Sequence, residues 1–400
     1  MAHASPQGSV VVVGGGYGGV NVARAMDDHA EVTLVEPKDA FVHNVAALRA
    51  LVDPNWLPRI FLPYDHLLVH GTVLRDRAVL VDAGQVVLAS GRRLTPDVIV
   101  LATGSTYPFP AKSDQPNTAD AIARYRAAHT DLYRAGRVML LGAGAVGLEL
   151  AGEIAAAWPD KHLVLVDTAE QVLPGPYDQR LRDELNRQLD NLGVERVLGT
   201  ALVDVPATGP GEAGAFTVVT ATGTRIEADI WFRCYAVTPV TGYLGDDLAA
   251  ARTSGGYLQV TPELRVVGFD RVYALGDIAA IDVNKAGVTG RQAAVVATNI
   301  RAQLTGTGEY TSYTPGPPVI ILPLGPTGGA GQLPGRDDIA PAESVTVVYD
   351  AGQNSAANHE KLEDTGIGFV GSLPPSATTR NCSPWAVPGS TTWTRSATRE

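Results

Sequence analysis

Val10-Val11-Val12-Val13 runs straight into Gly14-Gly15-Gly16-Tyr17-Gly18-Gly19, and this stretch decides the fold. A short β-branched run suits a buried parallel strand. The glycines match G-x-G-x-x-G, and residues 20–26 continue as an alanine-containing helical segment. A second strand, residues 32–35, ends at Glu36, 22 residues after Gly14. That spacing is what a dinucleotide requires. The glycines allow a tight turn, close approach of a pyrophosphate and close helix–strand packing. The helix N-terminus offers N–H donors to the phosphates, and the acid accepts from both ribose hydroxyls.

The same order recurs 128 residues later. Residues 138–141 form a strand, Gly142-Ala143-Gly144-Ala145-Val146-Gly147 the turn and residues 148–158 a helix. Residues 163–166 form the next strand, which ends at Asp167. The offset is too long for a solenoid and fits two separate dinucleotide folds. A carboxylate at 167 repels a 2′-phosphate, which favours NADH over NADPH. The expected fold class is α/β with two Rossmann-like dinucleotide-binding domains.

Between the two units, residues 41–68 are rich in Pro, His and Arg. β-like segments follow at 72–74, 78–81 and 86–88, then an apolar strand at 98–102 that ends in Thr103-Gly104. Tyr107-Pro108-Phe109-Pro110 breaks regular structure and marks a crossover. Residues 180–191 read as a surface helix, and 216–220 with 224–231 as a hairpin turning at Thr222-Gly223. A strand at 271–275 meets Gly276-Asp277, and a helix is expected at 288–300. From 336 the periodicity fades. Only 345–349 reads as a strand, and most of 350–400 reads as loop or disordered tail. The expected division is 9–110 and 246–310 for one dinucleotide domain, 111–245 for a second inserted into it, and 311–400 for an atypical C-terminal segment.

Composition excludes several classes. Lys plus Arg is 31 against 42 Asp plus Glu, a net charge of −11, which disfavours nucleic acid and anionic lipid as main partners. Cys234 and Cys382 are the only cysteines, so there is no disulfide scaffold, four-cysteine zinc site or CxxC pair. Cys234 reads as a core thiol and Cys382 as an exposed one. His43, His66 and His70 lack metal-ligand spacing, and no metal site is expected. No signal peptide is expected. The best apolar stretch, 138–158, carries Glu149 and Glu153, so no transmembrane segment is expected either.

Glu149 and Glu153 lie four apart, on one helix face, where like charges cost a few tenths of a kcal/mol. With the helix starting at 148, Glu149 falls in its first turn, where the helix N-terminus offsets that cost. Two readings stand: a solvated pair, or Glu149 in a cleft beside a nicotinamide. Asp277 is either a binder of sugar-alcohol hydroxyls or a helix N-cap. Lys285 is either a surface lysine or part of the same site.

Three stretches narrow the kinship. Phe41-Val42-His43-Asn44-Val45-Ala46-Ala47-Leu48-Arg49, Leu101-Ala102-Thr103-Gly104-Ser105-Thr106 with Pro108-Phe109-Pro110, and Ala274-Leu275-Gly276-Asp277 with Lys285 resemble the ferroptosis-suppressor and apoptosis-inducing-factor group. That group lies within the pyridine-nucleotide oxidoreductases that carry FAD. The resemblance covers about residues 9–334 and implies FAD on the first unit and NAD(P)H on the second. It implies FAD contacts for Gly14, Gly15, Gly16, Tyr17, Gly18, Gly19, Glu36, Arg49, Val79, Thr103, Gly104 and Asp277. It implies NAD(P)H contacts for Gly142, Gly144, Gly147 and Asp167. Glu149 is expected near the nicotinamide and Lys285 near the flavin, as catalytic residues.

The implied reaction passes electrons from NADH to a quinone-type acceptor. The alternatives are an NADH oxidase, a ferredoxin-type reductase, or an NADH-responsive flavoprotein with little turnover. The expected location is cytoplasmic, with peripheral contact at the inner face of a membrane. Two departures stand out. Ala236 replaces a glycine usual in the group, and the chain after Gly335 does not resemble it. The terminal segment is therefore expected to be replaced or read from a shifted frame.

Overall fold

β1 (Ser9–Val13) buries all four of its valines, as a strand covered on both faces must. It turns through the glycines into α1 (Tyr17–Met26) and returns as β2 (Glu31–Val35). α2 (Ala47–Val52), β3 (Thr72–Leu74) and β4 (Val98–Leu101) follow. The computed structural model describes residues 8–284, 286–332, 347–349 and 369–371.

α3 (Thr118–Arg134) leads to a second parallel sheet. Its elements are β5 (Arg137–Leu141), α4 (Ala145–Ala157), β6 (His162–Val166), α5 (Gln179–Asn191) and β7 (Val194–Val197). An antiparallel hairpin, β8 (Phe216–Val219) and β9 (Arg225–Ala228), precedes β10 (Ile230–Arg233), which completes the sheet in the order β7-β6-β5-β10. β11 (Val272–Ala274) then returns to the first sheet beside β4, giving the order β11-β4-β1-β2-β3. α6 (Thr289–Thr305) packs on α1, and the hairpin β12 (Ile320–Leu324) and β13 (Gly328–Gln332) packs on α4 and α5.

The period-2 alternation of the strands sorts the core into layers. Val138 and Leu140 of β5 face Tyr125 of α3, Ile154 of α4 and Leu51 of α2. Met139 and Leu141 face Trp231 and the hairpin residues Val218 and Ile226. The described residues divide into two units, one within 1–334 and one within 335–400. Within the second, Val347–Tyr349 pairs in parallel with Phe369–Gly371. The strand at Phe369–Gly371 falls where the sequence reading expected only loop or tail, while Lys285, Leu333, Pro334, Cys382 and the remaining tail residues lie outside the described residues. No described helix is long and apolar enough to cross a membrane.

Three expectations are corrected. The strand read over 224–231 is two strands, β9 and β10, divided at Asp229. That carboxylate accepts from the backbone N–H groups of Gly136 (3.1 Å) and Arg137 (2.9 Å) and so ties the break to the start of β5. α3 has no counterpart in the sequence reading; its apolar face is narrow, the four buried side chains Ala121, Tyr125, Ala128 and Leu132 at i, i+4, i+7 and i+11. α4 begins at Ala145, so Glu149 sits in its second turn, where the N-terminal dipole has little reach.

Candidate functional site

A cleft of about 780 Å³ opens at the carboxyl ends of the first sheet's strands. Gly14–Gly18, Glu36, Thr103, Gly104 and Asp277 line it from the first sheet, and Val146 and Glu149 of α4 line it from the second.

The two glycine turns share one geometry. A Cβ on Gly19 would lie 1.8 Å from the carbonyl oxygen of Gly14, and one on Gly147 would lie 1.9 Å from that of Gly142. A Cβ on Gly14 would meet the Ala102 carbonyl at 2.5 Å, and one on Gly142 the Cys234 carbonyl at 2.7 Å. These contacts are with backbone, so only glycine fits. At Gly16 and Gly144, by contrast, a Cβ would meet nothing within 4 Å. Those positions leave space open at a helix N-terminus, the arrangement that admits a pyrophosphate.

The acids repeat as well. The Gly15 N–H donates to Glu36 Oε2 at 2.7 Å, and the Lys38 N–H donates to Oε1 at 2.9 Å. The Ala143 N–H donates to Asp167 Oδ2 at 2.6 Å, and the Ala169 N–H donates to Oδ1 at 2.8 Å. In both copies the partners are the residue after the first glycine and the residue two after the acid. Each carboxylate keeps a further lone pair for a hydroxyl donor. The residues present therefore fit a dinucleotide on each turn.

Asp277 sits inside a short 3-10 turn, Gly276–Ile278, rather than at a helix cap. The Ser105 hydroxyl donates to it at 2.6 Å and Lys112 Nζ at 3.2 Å. The long helix α6 starts only at Thr289, which also lines the cleft. Tyr17 donates or accepts at His43 Nδ1 over 2.9 Å, and burial pushes its phenol up to about 12. Val79 lines the cleft and is about half exposed. Buried Tyr64 donates to the Gly15 carbonyl at 2.7 Å. Tyr64 and Lys112 have no local sequence signal, whereas Ser105 follows Thr103 and Gly104 in the 101–106 stretch already singled out.

Glu149 and Glu153 are not a solvated pair. Glu153 is buried and bound in a bidentate pair with Arg49, whose Nη2 lies 2.6 Å from Oε1. Arg49 is not among the residues lining the cleft. Glu149 faces the cleft, and burial first, then the charge of Glu153, pushes its carboxyl up to about 8. Cys234 is buried, and burial pushes its thiol up to about 12, so it is a packing group rather than a nucleophile.

Ala236 stands at φ +76°, in the left-handed region that disfavours a Cβ. It lies on the loop after β10, next to the carbonyl that Gly142 approaches. Relief of about 1–2 kcal/mol of strain, less the entropy cost of a glycine, leaves a net gain of about 0.5–1 kcal/mol for Ala236→Gly. The melting temperature should rise by about 2 °C. A fall would mean that the loop relaxes around the alanine at no cost.

Two paired turns, each with its own acid, define a protein built to hold two dinucleotides face to face. A family model described as pyridine nucleotide-disulphide oxidoreductase matches residues 8–300. The zebra finch (Taeniopygia guttata) ferroptosis suppressor protein 1 is 33% identical over 337 residues, which cover 82% of this chain and 88% of that protein. Apoptosis-inducing factor homolog B of Dictyostelium discoideum is 27% identical over 344 residues, covering 81% and 89%. Among solved structures, the ferredoxin reductase for the CYP199A2 system from Rhodopseudomonas palustris superposes with a TM-score of 0.63 at 21% identity. That match covers 78% of this chain and 79% of the other. The chain belongs to the pyridine nucleotide-disulphide oxidoreductase family, a class of FAD- and NAD(P)H-dependent flavoprotein oxidoreductases.

Proposed function

We propose that this chain oxidises NADH and delivers the electrons to a quinone-type acceptor. The observation that carries the reading is the entry of Val146 and Glu149, from the second sheet's helix, into the cleft of the first sheet's glycine turn. A reductant held on one turn then meets a carrier held on the other. FAD, held on the first turn, would supply the redox chemistry between reductant and acceptor.

The chain's own residues position the reactants. Gly14, Gly16 and Gly19 open the first turn to a pyrophosphate, and Glu36 accepts from ribose hydroxyls. Asp277, steadied by Ser105 and Lys112, accepts from the sugar-alcohol chain, with Val79, Thr103 and Gly104 as backbone walls. Gly142, Gly144 and Gly147 open the second turn, and Asp167 selects NADH by repelling a 2′-phosphate. Glu149 sits where a nicotinamide would arrive. The resemblance supports a role near the flavin for Lys285, which lies outside the described residues.

The quinone assignment is supported by the resemblance and by the absence of a nearby cysteine pair that could accept electrons as a disulfide. A peripheral approach to a membrane surface would bring the cleft to a lipid-soluble acceptor. An acceptor panel under steady-state NADH oxidation tests the reading. Turnover with a short-chain quinone should exceed that with oxygen or a ferredoxin by at least tenfold. Faster turnover with oxygen would make the protein an NADH oxidase, faster turnover with the iron–sulfur protein a ferredoxin-type reductase, and slow turnover with every acceptor a binding module.

A further inference from the structure

An ion pair joins α2 to α4 one helical turn from Glu149. Arg49 comes from α2, and Glu149 and Glu153 from successive turns of α4. The Arg49 and Glu153 side chains are 19% and 8% exposed, so neither charge is well solvated. The guanidinium also lies over the Trp56 ring at 5.6 Å, while Arg59 lies 5.2 Å from the same ring centroid. Losing either partner of such a buried two-pronged pair would strand the other. Glu153 therefore holds the acid side of a buried ion pair one helical turn from Glu149.

We propose that the Arg49–Glu153 pair is a positioning device that sets whether Glu149 carries its proton in the cleft. Coulomb's law fixes the direction of each contribution. Burial is the largest reason that Glu149 holds its proton; the Glu153 carboxylate adds to it, and a cation at Arg49 opposes it by Coulomb's law. Removing one member unbalances the other, in opposite directions. The remaining neighbours are quiet. Tyr107 responds to Glu149 but stays protonated, its phenol being raised by burial. β12, packed on α4, contains no titratable side chain. Arg137 of β5 pairs with Glu227 and Asp229, and His162 of β6 with Glu195. Below about pH 8 Glu149 offers the cleft a neutral acid, and above it an anion.

This deepens the proposed function by assigning control to the same cleft, and rests on that reading only for its kinetic readout. Infrared difference spectra of the holoprotein, titrated with pH, would follow the protonated carboxyl directly. The wild type should lose one such band with a midpoint near pH 8, and Glu149→Gln should lack it. Glu153→Gln, which keeps shape and a hydrogen-bonding group for Arg49, should lower the midpoint by about one pH unit. Arg49→Met should raise the upper midpoint by a similar amount.

Unchanged midpoints in both variants, with lowered melting temperature, would overturn the proposal and leave a structural strap. If Arg49→Met does not fold, Glu153→Gln decides alone: a midpoint that stays put refutes the proposal. If the infrared midpoints shift as stated while NADH-dependent reduction ignores pH, the proton control stands and the proposed role of the cleft fails.

Discussion

Gly147→Val will leave the purified protein yellow and abolish its reduction by NADH. Even the first carbon of that side chain would sit 1.9 Å from the Gly142 carbonyl oxygen, inside its van der Waals shell. The clashing atom is backbone in a turn packed between β5 and α4, so no rotamer change relieves it. The start of α4 must lift from the turn, at a cost of about 3 kcal/mol or more. The donors that would meet a pyrophosphate move with it, and NADH affinity should fall by about 100-fold or more. The first cradle, from Gly14 to Gly19, is untouched, so flavin content should stay near one per chain. Gly19→Val should do the reverse, since its clash with the Gly14 carbonyl is as severe, and yield colourless protein. Absorbance of the isolated protein and stopped-flow mixing with NADH read both. Wild-type NADH affinity in Gly147→Val would mean that the second turn holds no nucleotide.

Glu149→Gln should have the next largest effect, and its size should depend on pH. The Glu149 carboxyl sits at about 8 in the folded chain and ordinarily near 4.5. Between those values the unfolded chain releases a proton that the folded chain retains. The unfolded state binds fewer protons there, so stability falls as pH rises from about 4.5 through 8 and then levels. Glutamine has no charge to bury, so it should recover about 2–4 kcal/mol at pH 9 and almost nothing at pH 4.5. Thermal melts of the two proteins across that range measure the difference. A binding consequence accompanies it. NAD⁺ carries a positive nicotinamide, which an ionised Glu149 attracts, so NAD⁺ should bind about tenfold more tightly at pH 9 than at pH 7. Glu149→Gln should flatten that dependence. A wild type already flat across pH 8 would place Glu149 away from the nicotinamide.

The parts of this fold that were legible in the sequence are those fixed by local rules. Strand, glycine turn, helix and acid lie within about 30 residues, and the turn geometry needs glycine whatever the rest of the chain does. Short apolar segments at 72–74, 78–81 and 86–88 coincide with the strands found there. What could not be read depends on partners far away. α3 has an apolar face at helical spacing, but it is narrow and half alanine, and only its packing against other elements shows that Tyr125 and Leu132 are buried. Asp229 breaks an apparent continuous strand because Gly136 and Arg137, more than 90 residues earlier, donate to it. Arg49 finds Glu153 104 residues later, a pairing that no spacing rule predicts. Ala236 was legible as a departure, and its left-handed conformation gives that departure a physical cost.

The measurement closest to the central claim is an anaerobic titration of the purified protein with NADH, followed by visible absorbance. The account predicts a yellow protein with about one flavin per chain, bleached by one equivalent of NADH and recoloured by a soluble quinone. Protein that is colourless as isolated and fails to take up FAD supplied in excess would contradict it, whatever the likeness of its two glycine turns.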